Sequence, residues 1–173
     1  TSSYAQAAAM AMGRAMDDVI IAAATGTAYT GETGAGTESV QTAIAASVGT
    51  GTGLNLVKLT TAKRLLDDSD VDPSIPRHII VGPEQLQNLL AVEQVTSSDY
   101  NTVKALVQGE IDSYLGFKFT VSNRLAKSGN DRTCIVYAED GITLGIGKDI
   151  SARIDERADK SYATQVYYCQ SIG

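Results

Sequence analysis

The 173-residue sequence holds two cysteines and one histidine, and each scarcity closes a route to function. Cys134 and Cys169 supply neither a disulfide framework nor the spacing of a metal-binding motif; each sits in a strand-like run and is expected to be a small buried apolar residue. With His78 alone, one chain cannot build a two-histidine metal site, and a histidine between Arg77 and Ile79 at a strand start reads as structural. Cations are few and scattered. The 14 Lys and Arg against 20 Asp and Glu leave a net charge of −6, so the clustered positive charge that grips nucleic acid is missing. No apolar run approaches the roughly 18 residues that cross a bilayer, and the first residues carry neither the basic stretch nor the cleavage signature of a secreted precursor. A soluble cytosolic product with no membrane contact is expected. The sequence opens on Thr1, not Met, which points to a piece of a longer chain.

What is present begins with period two. In residues 149–172, Ile150, Ala152 and Ile154 alternate with Ser151, Arg153 and Asp155, and Ala163, Val166, Tyr168 and Cys169 belong to a returning run. These two runs predict a hairpin about 25 Å long with one buried and one wet face. A two-stranded ribbon is marginal alone in water, so it needs a support. Residues 4–24 supply a candidate: without proline, rich in Ala, and with Met12, Met16, Val19, Ile20 and Ala23 at helical spacing, they predict an amphipathic helix of roughly 30 Å. Arg14 and Asp18 are one turn apart and can pair on its wet face.

The middle of the chain reads as α+β. Residues 25–37 are too rich in Gly and Thr for a helix or central strand and read as a loop; residues 40–48 read as a short ordered run, and residues 49–53 as a second break. Leu54, Val57, Leu59, Leu65 and Leu66 predict a helix over residues 54–67, ended by an Asp-rich turn before Pro73. Residues 77–83 predict a buried strand, followed by a helix with Pro83 in its first turn and Leu86, Leu89 and Leu90 on one side. A weak helical stretch over residues 103–111 and strands over 115–122, 134–137 and 142–146 complete the pattern, which lacks the regular alternation of a doubly wound sheet.

Candidate chemistry is thin. The Gly-rich segment 26–36 resembles a phosphate loop only in composition, since it trails a helix and no Gly-Lys-Ser or Gly-Lys-Thr follows. Asp68, Asp70 and Asp72 have the alternate spacing of a calcium loop, but Pro73 takes the place of its glycine and Ile79 that of its closing glutamate. No cofactor and no metal are expected. At the hairpin tip Asp155, Glu156 and Asp159 interleave with Arg153, Arg157 and Lys160, a pattern suited to a contact between subunits or to a soluble edge that resists aggregation.

The order of elements carries a resemblance. Residues 12–31 as helix end and loop, Ile-Ile-Val-Gly-Pro and its helix over 78–90, Gly-Phe-Lys-Phe-Thr-Val-Ser-Asn within 109–125, and the hairpin 150–173 together resemble the major capsid protein of tailed bacteriophages. That is the Hong Kong 97-like fold, shared with encapsulins. The resemblance implies a long spine helix packed on a long β-hairpin as a peripheral domain (residues 1–51 and 149–173) and an axial α+β domain (residues 52–148). It implies no enzyme, but a subunit that self-assembles into pentamers and hexamers enclosing double-stranded DNA without binding it specifically. Scaffolding protein and portal are the other partners it brings, with assembly in the host cytoplasm. Ser97, Ser98, Asp99 and Tyr100, in the polar loop 94–101, would face the capsomer axis and join the tip residues as contact candidates. No counterpart of the family's amino-terminal arm or extended loop, and nothing past Gly173, is present in this sequence, so this stretch alone is expected to fold but assemble poorly. An encapsulin-type compartment and a small-molecule or nucleotide-binding enzyme using the Gly-rich loop are the alternatives.

Overall fold

The computed structural model describes residues 3–39, 43–49, 53–91 and 113–173. The expected helix over residues 103–111 and the loop residues Ser97, Ser98, Asp99 and Tyr100 lie outside them.

Helix α1 spans Ser3–Thr25. Its half-buried stripe runs through Ala8, Met12, Met16, Val19, Ile20 and Ala24, the helical spacing read from the sequence except that Ala24, not Ala23, is covered. Thr25 Oγ1 donates to the Ile21 carbonyl at 2.9 Å and closes the last turn. The Gly–Thr segment that follows is not a loop. It forms an exposed antiparallel hairpin, β1 (Thr27–Thr30) against β2 (Gly36–Ser39). Its Thr and Tyr side chains favour the ladder, while Gly31 and Gly34, at φ +87° and +67°, make the turn that a side chain would strain.

Helix α2, Leu56–Asp68, begins at Asn55, whose side-chain oxygen accepts the Lys58 N–H at 2.9 Å. Strand β3, Arg77–Val81, follows, and Pro83 starts α3, Pro83–Leu90. After β4 (Ser113–Tyr114) the chain turns at Leu115 and Gly116, both at positive φ, into β5, Phe117–Val121. The expected strand over 115–122 therefore begins two residues later, because those left-handed residues form a tight hairpin turn. A short ladder, β6 (Lys127–Ser128) with β7 (Asp131–Arg132), precedes β8, Ile135–Ala138. Residues 142–144 form no strand; after a 3₁₀ turn at Glu139–Gly141 the chain enters β9 only at Ile146.

The sheet order is β4-β5-β3-β8, with β3 parallel to β5 and antiparallel to β8. β3 is central, so both its faces are covered and it reads as a continuous apolar run. On one face Ile79, Val81 and Phe117 pack with Leu54, Leu59, Ala62, Leu89 and Tyr114. Leu59, Ile79, Val81, Leu89 and Phe117 are the largest fully buried side chains, each worth about 1.5–3 kcal/mol of burial. Arg77 lies at the end of this face, its Nη2 donating to Asp67 Oδ1 at 2.6 Å and to the Val71 carbonyl at 3.2 Å. On the other face Ile80, Ile135 and Leu125 pack against Ile21 and Ala24 of α1. Asp18 turns to this unit as well: Arg124 Nε donates to its Oδ1 at 2.7 Å and Nη2 to its Oδ2. The sequence-local pair Arg14–Asp18 gives way to this longer-range fork, which engages two nitrogens at once.

Strand β9, Ile146–Arg157, and β10, Ala163–Ile172, form the ribbon, and β10 packs on α1. The support is partial. Ser151, Tyr168, Cys169 and Gln170 are half-buried near the root, whereas residues 152–167 are exposed on both faces. One buried and one wet face was expected; among the described residues nothing covers either face of the outer half. Both cysteines are half-buried, not buried.

Candidate functional site

The outer ribbon presents two chemically different faces. Opposed residues share a face, so Ile154 with Val166, Ala152 with Tyr168 and Glu156 with Thr164 make one, and Arg153 with Tyr167, Asp155 with Gln165 and Arg157 with Ala163 make the other. The first carries bare aliphatic surface, with Ile154 71 % and Val166 42 % exposed. The second is a row of Arg153, Asp155 and Arg157 in alternating sign. At the tip Ala158–Lys160 make a 3₁₀ turn, and Ser161 and Tyr162 sit at φ +54° and +59° to reverse the chain.

All six charged candidates are exposed on this ribbon, as the alternation requires. Arg157 and Asp159 meet each other: Arg157 Nε donates to Asp159 Oδ1 at 2.8 Å, and this bond holds the Asp159 carboxyl below its usual range. Exposed pairs of this kind contribute little to stability, but they fix the tip's shape. Arg153, Asp155, Glu156 and Lys160 are the candidates left to meet a neighbour. The alternation signals burial of Ile154 and Val166 within the chain, whereas both are exposed; only their positions far from the root could have warned otherwise.

Other candidates are absorbed structurally. The Gly-rich segment is the hairpin β1–β2, not a cradle opening a helix. Asp68 pairs with Arg64 at 2.7 Å and Asp72 accepts the Ser74 N–H at 2.8 Å. Among the described residues no group of three His, Cys, Asp or Glu could hold a metal. An open cleft of about 530 Å³ lies beside this turn, and Arg77 and Asp67, paired with each other, line it. His78 stacks on Tyr137, ring centres 5.4 Å apart. Burial pushes the Cys134 thiol above its ordinary value, which works against nucleophilic use. No helix among the described residues is long and apolar enough to cross a membrane.

The geometry is thus a mixed α/β unit with a terminal ribbon bare on an aliphatic and a charged face. The chain belongs to the phage capsid protein family, whose model matches residues 1–173. A solved chain from Mycobacterium phage Che8 shares the fold, at 18 % identity and a TM-score of 0.64. The match covers 99 % of this chain and 58 % of the other, so the sequence spans little more than half the length of its structural neighbour. No curated protein matches the chain.

Proposed function

We propose that this chain is a subunit of an icosahedral, Hong Kong 97-like bacteriophage shell, the major capsid protein, and that it forms pentamers and hexamers around double-stranded DNA. Helix α1 serves as the spine of a peripheral domain, residues 1–51 and 149–173, and residues 52–148 form the axial domain, with Ser97, Ser98, Asp99 and Tyr100 toward the capsomer axis. The observation that carries this reading is the unsupported outer ribbon. Exposed on both faces beyond Ser151, it offers surface for contacts with neighbouring subunits. Closed shells are built that way, from repeated heterologous contacts that close by symmetry.

The net charge of −6 supports enclosure of DNA without a grip on it, because like charges repel. Scaffolding protein and portal complete the partner set, and assembly proceeds in the host cytoplasm. The test is electron microscopy of the purified full-length protein over a range of salt: closed shells are expected, and monomers alone under every condition would overturn the proposal. Shells purified with an enzyme inside would turn it toward an encapsulin-type compartment.

A further inference from the structure

The ribbon is not one stiff piece. From Arg157 opposite Ala163 down to Ser151 opposite Cys169, the strands pair residue for residue. Below that level the register slips twice, with Lys148 opposite Ser171 and then Ile146 opposite Ile172. β9 therefore uses 12 residues where β10 uses 10. Each surplus residue is a bulge that interrupts the ladder and adds local twist. Ile150, which stands opposite no β10 residue in this register, gives its N–H to Oδ1 of Asp149 at 2.7 Å. Gly147 lies inside the slipped stretch.

Both sides of that stretch are firmer. Toward the root, Gly145 and Gly173 exchange two backbone hydrogen bonds of 2.7 and 3.0 Å. Toward the tip the ladder is unbroken, and half-burial ends at Ser151 and Tyr168, the level where the slips begin. An interrupted segment between a clamped root and a regular, uncovered ribbon is the anatomy of a pivot.

We propose that residues 147–150 are a hinge on which the ribbon beyond Ser151 swings as a rigid lever, giving one sequence several positions of the charged tip. A bend of roughly 20°, the scale of ordinary twist between strands, on a lever about 23 Å long moves the tip by about 8 Å. The use of this motion rests on the shell reading, since copies in pentamers and hexamers meet neighbours at unequal angles; the hinge itself belongs to a single chain.

Pulsed electron spin resonance on the whole protein tests it, with Cys134 and Cys169 replaced by Ser. One spin-labelled pair, Lys160→Cys with Lys118→Cys, spans the slips; the other, Lys160→Cys with Ala152→Cys, lies within the lever. The spanning pair is expected to show the broader distance distribution, by up to about the 8 Å of tip travel that the lever allows. Deleting Gly147 and Asp149 removes both surplus residues and, two being even, keeps every distal side chain on its face; the spanning distribution should then narrow to the width of the other. Gly147→Val, whose Cβ would meet Ser171 Oγ at 3.4 Å, is the milder variant, expected to narrow the distribution even if the deletion does not fold. Equal widths in the unmodified ribbon, or breadth that survives both changes, overturn the hinge. A hinge found in a protein that forms no shells overturns the shell reading alone.

Discussion

Replacing Ile154 by Thr separates a contact surface from a core. The residue is 71 % exposed and faces Val166 across the ribbon. Thr keeps the branched Cβ that strands favour while removing most of the apolar area. Full burial of an Ile side chain is worth about 1.5–3 kcal/mol, so covering the exposed part in a neighbour contributes about 1–2 kcal/mol per contact. At tenfold per 1.4 kcal/mol, the concentration at which shells appear should rise about 5- to 30-fold. Within the subunit the change disturbs only a cross-strand pair worth roughly 0.2–1 kcal/mol, which lowers the melting temperature by at most about 4 °C in a domain of this size. Light scattering against protein concentration reads the first quantity and circular dichroism the second. The reasoning fails if shells form at the unmodified concentration, or if melting falls as far as it does for a buried residue.

Charge reversal at Arg153 and Arg157 should impair assembly more than folding, with the Arg153→Glu effect fading as salt rises; equal loss in scattering and melting would refute a contact role for the tip. Phe117→Ala should behave oppositely: with the side chain 0 % exposed, it should lose about 3–5 kcal/mol and melt about 6–20 °C lower. Hydrogen bonding from Arg124 holds the Asp18 carboxyl below its ordinary 3.8. A depressed folded value means that the stabilisation is complete above about pH 4 and is lost as pH falls through the folded value. Carboxyl NMR should show Asp18 titrating low, and Arg124→Gln should return it toward 3.8; an unchanged titration would dismiss the pair.

The long regular elements were legible because periodicity accumulates over many residues. Helix α1, the strand–Pro–helix unit at residues 77–90 and the terminal ribbon all follow from spacing alone. Short elements set by backbone conformation were not. Residues 25–37 read as loop from their glycines, though Thr27, Tyr29, Thr30 and Thr37 suit a ladder, and Leu115 gave no sign of the positive φ that makes it a turn. The partner of Asp18 could not be read locally, since Arg124 is 106 residues away. At the candidate site the alternation located the charged tip correctly. It could not reveal that β9 is two residues longer than its partner, because a period of two looks the same on either side of an even slip.

The contact between α1 and β10 joins a helix to a strand that is synthesised long after it. At ribosomal speeds of about 5–20 residues per second, the Met12–Ile20 stripe waits on the order of ten seconds or more before β10 emerges. During that interval nascent chains from one message are neighbours with sticky, uncovered helices. Translation itself thus opens a window for premature pairing, and chaperone capture of α1 is where a cell could close it.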